Sequence, residues 1–334
     1  MAARSRLLVL LVTLLIAAGC TTAAPSTAPT GAPPTAQATA APTTPPVTPI
    51  PAPAFPVTLT DDEGTAVTIA AEPKKIVSLT PATTEALFAI GAGARVVGKV
   101  QDIANFPPEA AQIPEVATYA GVDIEKIVAL GADLVISGGT GLTQGDAVDQ
   151  LRRAHIPVVV IYPTTVDKAV AGIRLLGRAV GLATEASALA DSIANQLADL
   201  AAIAATATTK PRVFYEIDVT GGIFTPPADS IYGEMFKLAG GEPISGDASY
   251  SISLEELVAA DPEVILLGEG NNPDGTPRVT LAAVAAREGW DGMTAVKDGR
   301  IAQVDDIVIT RPGPRLVDGL RALIAAIHPE LSLP

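Results

Sequence analysis

The spacing of apolar and polar residues divides the chain from residue 57 onward into short extended runs and longer helical stretches. Residues 57–60 and 66–69 lie on either side of an acidic turn, which predicts a β-hairpin. Short runs of Val, Ile and Leu follow, such as residues 133–137 and 157–162, and stretches with helical periodicity separate them. Strands that are apolar on both faces and alternate with helices are typical of a parallel sheet covered on both sides. The pattern therefore predicts an α/β fold.

A second series of strands and helices repeats this order. Strands are predicted at residues 212–217, 264–267 and 300–304, and a closing helix is predicted at residues 316–327. A further helix is predicted to open at Thr225 and to end before a pair of glycines. We therefore expect two Rossmann-like lobes, each built on a mostly parallel central sheet.

The segment between the two series is predicted to be helical. Residues 166–181 and 184–206 are rich in Ala and Leu at helical spacing. A helix of about 20 residues is about 30 Å long, which is the width of a small domain. The inter-lobe segment, residues 166–207, is therefore expected to be a rigid helical joint and not a flexible linker.

One stretch of the sequence occurs twice. Residues 123–136 align with residues 253–266 at an offset of 130 and without a gap, and Glu125 then falls on Glu255. Each copy begins with a good helix N-cap. A carboxylate in the first turn of a helix gains about 0.3–1 kcal/mol from the helix dipole, which is enough to explain either glutamate alone. The match between lobes further predicts two equivalent carboxylates that could pair with arginines of a symmetric partner.

The N-terminal part of the chain has the character of a targeting segment and a tether. An apolar run within residues 1–19 is too short to span a bilayer and has the form of a signal peptide. Cys20 is the only cysteine of the chain, so an intrachain disulfide is impossible, and its position resembles a bacterial lipoprotein cleavage site. Ala17 stands where that site usually has leucine, which leaves ordinary signal cleavage as the alternative. Residues 20–56 are almost wholly Thr, Ala, Pro and Ser, which predicts a disordered tether.

Charge and the choice of side chains narrow the possible functions. The net charge of −14 disfavours nucleic acid and anionic membrane surfaces, because both attract clustered Lys and Arg. His155 and His328 suit neither a metal cluster nor a catalytic triad, and no catalytic motif occurs. We therefore expect a binding protein and not an enzyme, since a redox cluster would need several cysteines. A surface adhesin or structural lipoprotein stays an alternative, because a tether alone would suit one.

Several stretches, in this order along the chain, resemble a known family. They include residues 75–85, 123–136, 253–266 and 311–315. They are similar to the substrate-binding proteins of ABC importers for iron chelates and cobalamin, whose two lobes are joined by a single long rigid helix. The resemblance implies an N-terminal lobe at residues 57–165 and a C-terminal lobe at residues 208–334. It also implies a monomer outside the cytoplasm that would be held at the membrane by a lipid on Cys20.

The same resemblance assigns roles to individual residues. It implies that Glu125 and Glu255 form salt bridges with arginines of a dimeric permease. It also implies that the ligand binds in a cleft between the lobes. The candidate ligand-binding residues are Tyr119, Tyr250, Ile103, Phe106, Ile217 and Arg311. The ligands that the resemblance implies are cobalamin or another corrinoid, a ferric siderophore, or haem, and Tyr119 would ligate a metal only in the case of haem. No resident cofactor is expected.

Overall fold

Strands and helices alternate through the residues that the structure describes. The structure is a computed structural model and describes residues 55–118, 120–139, 146–219, 221–268 and 278–334. These residues belong to one compact unit, Thr48–Pro334. The strands are β1 (Val57–Thr60), β2 (Ala66–Ile69), β3 (Ile76–Ser78), β4 (Val96–Val100), β5 (Glu115–Thr118), β6 (Gly121–Val122), β7 (Leu134–Ser137), β8 (Val158–Val160), β9 (Arg212–Glu216), β10 (Ile223–Phe224), β11 (Glu242–Pro243), β12 (Ser251–Ile252), β13 (Val264–Leu267) and β14 (Ile301–Gln303). The helices are α1 (Pro81–Ala89), α2 (Ile124–Leu130), α3 (Ala147–Arg153), α4 (Val166–Val180), α5 (Ala183–Ala204), α6 (Ile231–Leu238), α7 (Leu254–Ala260), α8 (Leu281–Ala285), α9 (Thr294–Lys297), α10 (Asp306–Thr310) and α11 (Leu316–Ile327).

Two separate sheets organise the chain, one in each half. The first has six strands in the order β6-β5-β4-β3-β7-β8, and β6 at its edge runs antiparallel to β5. The second has four parallel strands in the order β11-β9-β13-β14. The β1–β2 hairpin forms as predicted, and β10 pairs with β12 in a second small antiparallel sheet. The predicted α/β fold with two mostly parallel sheets is confirmed.

One helix begins later than its sequence pattern predicts. The helix expected from Thr225 spans Ile231–Leu238 instead. Pro226 and Pro227 disfavour helical conformation in the residue that precedes each of them. Ser230 caps the helix, and its hydroxyl accepts a hydrogen bond from the third backbone N–H of the helix at 3.2 Å. The segment before Ser230 is therefore a loop, and it contributes to the cavity described below.

Alternate side chains of each sheet enter different cores, as the pleat of a strand requires. In the six-stranded sheet, Ile76 joins a central core, whereas Val77 joins a smaller core on the opposite face. In the four-stranded sheet, Tyr215 joins the same central core, whereas Phe214 joins a third one. The central core is thus shared by both sheets, and it ties the two lobes together.

The helices α4 and α5 lie between the strands of the two sheets in chain order, and both contribute to that shared core. They pack closely at Gly177, where an added Cβ would lie 2.1 Å from the Cβ of Ala186. Gly181 then reverses the chain in the left-handed conformation, with φ of 78°. Helices that share a core with both sheets favour a stiff connection, although the rigidity itself stays a prediction. No helix in the described part of the chain is long and apolar enough to cross a membrane.

The repeated sequence folds into the same unit twice. β6, α2 and β7 correspond to β12, α7 and β13 at the offset of 130 residues. The pattern of burial along α2 and α7 is identical, with Ile127 or Leu257 as the single buried residue. Asp123 or Ser253 caps each helix through its side chain, and each helix ends in a left-handed residue. The two glutamates of the repeat therefore occupy equivalent positions.

Candidate functional site

A cavity lies between the two lobes. Its volume is about 460 Å³, within the usual range of small-molecule sites. The first turn of α1 and the segment after β8 line it from the first lobe, and α4 forms another side. The loop before α6, Tyr250 and the loop after α10 line it from the second lobe. Ligands of open α/β sheets bind beyond the carboxyl ends of the strands, so this cavity is the candidate binding site.

Three tyrosines line the cavity. Tyr162 is 46% exposed and Tyr250 is 38% exposed, whereas Tyr232 donates its hydroxyl hydrogen to the carbonyl of Thr310 at 3.2 Å. Burial raises the pKa of Tyr232 to about 12, with smaller contributions from the other two tyrosines. Burial also raises the pKa of Tyr250, followed by the effects of Tyr162 and Asp229. Tyr232 and Tyr250 are therefore neutral phenols at physiological pH.

A tight turn carries Tyr250 at the cavity. Its φ of 64° lies in the left-handed region, which residues other than glycine seldom adopt. The carboxylate of Asp247 accepts hydrogen bonds from the backbone N–H groups of Ser249 and Ser251 at 2.7 and 2.9 Å. The carbonyl of Tyr250 accepts a further bond from the N–H of Thr225 at 2.9 Å. These bonds fix the backbone on both sides of the ring.

The charged residues among the described cavity lining are Asp229 and Arg311. The guanidinium of Arg311 already has two partners. It donates to Glu85 at 3.0 Å and to the two carboxylate oxygens of Asp102 at 2.5 and 3.1 Å. The positive charge of Arg311 is therefore neutralised within the protein.

Arg311 belongs to a group that we name the inter-lobe ion-pair network: Glu85, Asp102, Arg311 and Arg315. Arg315 donates to Glu85 at 2.6 and 2.8 Å, and its guanidinium lies 4.1 Å from the ring centroid of Phe106. Glu85 lies on α1 and Asp102 follows β4, whereas both arginines lie between α10 and α11. Both carboxylates are buried. The network therefore joins the two lobes beside the cavity.

Asp102 shows how the network balances burial against charge. Burial by itself would raise the pKa of Asp102, but hydrogen bonds from Arg311 and from the backbone of Ala104 and Phe106 outweigh it. The net effect is a pKa below the ordinary value for aspartate. Burial would likewise lower the pKa of Arg311, yet its bonds to the two carboxylates raise it. Asp102 and Arg311 therefore stay charged at neutral pH.

The two glutamates of the repeat lie elsewhere, on the exposed faces of α2 and α7. Neither Glu125 nor Glu255 has a hydrogen-bond or ion-pair partner within the part of the chain that the structure describes. Each helix thus presents an unpaired carboxylate to solvent. The described ranges contain no group of three or more His, Cys, Asp and Glu side chains that could hold a metal ion.

The family of the chain follows from a match over most of its folded part. A family model described as periplasmic binding protein matches residues 76–308. The chain belongs to the periplasmic binding protein family. The family expected from the sequence is therefore confirmed, and its members are binding proteins that act outside the cytoplasm.

Three comparisons place this family member among named proteins. The uncharacterized ABC transporter substrate-binding lipoprotein YvrC of Bacillus subtilis is 32% identical over 282 residues, which are 83% of this chain and 87% of YvrC. A cobalamin-binding protein of Halobacterium salinarum is 29% identical over 284 residues, which cover 82% of this chain and 75% of that protein. The periplasmic heme-binding protein RhuT from Roseiflexus sp. RS-1, in its apo form, has a TM-score of 0.66 at 26% identity and covers 76% of this chain and 99% of its own.

The cavity of this periplasmic binding protein brings together some of the predicted ligand residues. Tyr250 and Arg311 line it, whereas Ile103, Phe106 and Ile217 are not among the described residues of its lining. Ile103 is exposed on the loop after β4, and Ile217 packs against the central core. Phe106 lies under a guanidinium of the ion-pair network. The ligand-binding roles of all five residues stay predictions.

Other residues of interest were missed by the sequence or lie outside the described ranges. Tyr119 and Cys20 are outside those ranges, so their predicted roles stay predictions. The sequence patterns did not select Tyr162, Tyr232 and Asp229, all of which line the cavity. The run expected as a strand to residue 162 ends two residues earlier, and a search beyond the carboxyl end of that strand would have found Tyr162.

Proposed function

We propose that this periplasmic binding protein captures a corrinoid such as cobalamin in the inter-lobe cavity and delivers it to an ABC transporter. The observation that carries this proposal is the charge of the cavity. The guanidinium of Arg311 is neutralised by two buried carboxylates, and Asp229 is the other charged group among the described lining residues. A ligand in the cavity would therefore meet no unpaired cation from these residues.

The three candidate ligands differ in the charge that they present. A ferric catecholate siderophore is an anion, and haem carries two propionates, so both favour a site with free Arg or Lys. The periphery of cobalamin is rich in amides, which need neutral hydrogen-bond donors and acceptors. Tyr162, Tyr232 and Tyr250 supply such groups together with aromatic faces for a flat ring.

The internal residues outside the described ranges add no positive charge that could reach the cavity. Those residues, 119, 140–145, 220 and 269–277, include neither lysine nor arginine. The charge argument therefore does not depend on them.

The named relatives support different parts of the proposal. The Halobacterium relative is named for cobalamin binding, and YvrC is named as an ABC transporter substrate-binding lipoprotein. RhuT is named for heme binding, which keeps haem as an outcome that the experiment must test. In that outcome Tyr119 would be the axial ligand of the iron.

We further propose how the protein is held and how it delivers its ligand. A lipid on Cys20 would anchor the protein to the outer surface of the cell membrane, with residues 20–56 as the tether. Glu125 and Glu255 would pair with arginines of the two permease subunits, since they are exposed, unpaired and equivalent. The activity is binding and delivery by a monomer, without catalysis.

The ligand can be tested by calorimetric titration of the purified protein with cyanocobalamin, haem and a ferric catecholate in separate experiments. We expect cyanocobalamin to bind at least roughly a hundredfold more tightly than the other two. Tyr162→Leu and Tyr250→Leu should each weaken it by roughly tenfold. Tighter binding of haem, with an absorption band that Tyr119→Ala removes, would replace the corrinoid by haem. Tighter binding of the catecholate would contradict the charge argument.

A further inference from the structure

Large hydrophobic side chains are exposed at seven positions in the described part of the chain. These are Ile103, Phe106, Val128, Tyr162, Tyr250, Val258 and Leu281. Four of them lie in the cavity or on the loop that follows β4. Val128 and Val258 differ from the other five in one respect. They occupy equivalent positions of the repeat, on α2 and α7. Single exposed apolar residues are common on protein surfaces, but here the same exposure occurs at the same step of both copies.

The two valines share a helix face with the two glutamates. Val128 is three residues after Glu125, and Val258 is three residues after Glu255, so each pair is adjacent on its helix. Val128 is 50% exposed and Val258 is 39% exposed. The single buried residue of each helix, Ile127 or Leu257, lies on the other side of the helix and packs in the core of its lobe.

We propose that Val128 and Val258 are the apolar half of the docking contact with the permease dimer, one on each lobe. The inference rests on the proposed function, because it takes Glu125 and Glu255 as the charged half. The occupant that fits is a partner that carries the same surface twice. Each of its subunits would present an arginine for the carboxylate and an apolar pocket for the valine.

The pairing of charge and apolar surface has a physical reason. An exposed ion pair alone is weak, because water and salt screen it. An apolar contact next to the pair excludes water from it, which strengthens the electrostatic attraction. A valine beside each glutamate would therefore strengthen an ion pair that, on its own, would contribute little to binding.

The first test is cross-linking in living cells of the source organism, with the full-length chain. A photoreactive amino acid is placed at position 128, 258 or, as the control, 281, which is exposed to a similar degree at 46%. We expect adducts with a permease subunit, identified by mass spectrometry, from the first two positions and none from the third. Adducts from probes at positions 125 and 255, but not at 128 and 258, would overturn the role of the valines and leave the docking proposal intact.

The second test measures the contribution of the valines to transport. The double variant Val128→Ser/Val258→Ser should lower cobalamin uptake by roughly tenfold, while the affinity of the purified protein for cobalamin stays unchanged. Leu281→Ser is the matched control and should leave uptake unchanged. Unchanged uptake in the double variant would overturn the inference, and so would an equal loss of ligand affinity. If probes at all four docking positions give no permease adduct, the docking part of the proposed function fails as well.

Discussion

Carboxylates occur in opposite settings in two regions of this molecule. In the inter-lobe ion-pair network, Glu85 and Asp102 are buried and hold arginines from the other lobe. On α2 and α7, Glu125 and Glu255 are exposed and have no partner within the described part of the chain. The first pair is used inside the protein to join the lobes. The second pair is available to another molecule.

The difference between the two regions predicts which property a mutation in each region should change. Removing one partner of a buried ion pair leaves a charge in a low-dielectric setting, which lowers the free energy of unfolding. Removing an exposed, unpaired carboxylate leaves nothing unsatisfied in the fold. Changes in the network should therefore act on stability, whereas changes on α2 and α7 should act on delivery.

The largest effect is expected from reversing the charge of Glu125 on α2 and of Glu255 on α7. Glu125→Arg/Glu255→Arg should reduce ligand uptake to the background of cells that lack the protein, because in the proposed docking the new arginines would repel the arginines of the permease. Its ligand affinity and melting temperature should match those of the wild type. Uptake assays, calorimetry and thermal unfolding provide the three readouts.

The control is Glu185→Arg, which reverses another exposed first-turn glutamate, at the start of α5. It should leave uptake unchanged. If Glu185→Arg reduces uptake as strongly as the double variant, the effect reflects overall charge and not the matched positions.

The next effect in size is the loss of an arginine from the ion-pair network. Arg311→Met should lower the free energy of unfolding by about 3–5 kcal/mol, because Asp102 would lose its main partner while buried. Denaturant unfolding measures the change. Arg153→Ala removes an exposed pair with Asp146 and should cost only about 0–1 kcal/mol. Equal costs for the two variants would mean that the network contributes no more than a surface pair.

The network also predicts how stability depends on pH. The pKa of Asp102 is lowered in the folded protein, so its contribution is complete above the unfolded value of about 3.9 and is lost as pH falls through the lower folded value. The difference in unfolding free energy between the wild type and Asp102→Asn should therefore shrink as pH falls below about 4. Unfolding curves at pH values on both sides of that window measure it. A difference that stays constant would show that the charge of Asp102 contributes nothing.

The sequence predicted the parts of this molecule that depend on local pattern. The repeat at Glu125 and Glu255 could be predicted because the caps and the apolar spacing of each copy are local features, which can then be compared between copies. The start of α6 could not be predicted in the same way. Thr225 followed by two prolines resembles the start of a helix, but the helix begins six residues later, after its N-cap Ser230.

The ion-pair network lies beyond what local pattern can reveal. Glu85 and Arg311 are 226 residues apart in sequence, and nothing in either neighbourhood indicates the other. The sequence makes Arg311 a candidate ligand-binding residue, and a free guanidinium would suit an anionic ligand. In the fold, Asp102 pairs with Arg311 and neutralises its positive charge. The charge that the cavity presents to a ligand could therefore be determined only from the structure.

The smallest effect separates the two regions by their response to salt. Exposed charges are screened over a Debye length of about 8 Å at physiological ionic strength and about 3 Å at 1 M, whereas buried pairs are screened much less. The affinity of the protein for permease in nanodiscs should therefore fall severalfold as salt rises from about 0.05 to 0.5 M. Over the same range, the stability difference between wild type and Arg311→Met should scarcely change. If the docking affinity does not change with salt concentration, the proposed apolar contact at Val128 and Val258 dominates the interface. The carboxylates beside the valines would then determine the orientation of docking and not its affinity.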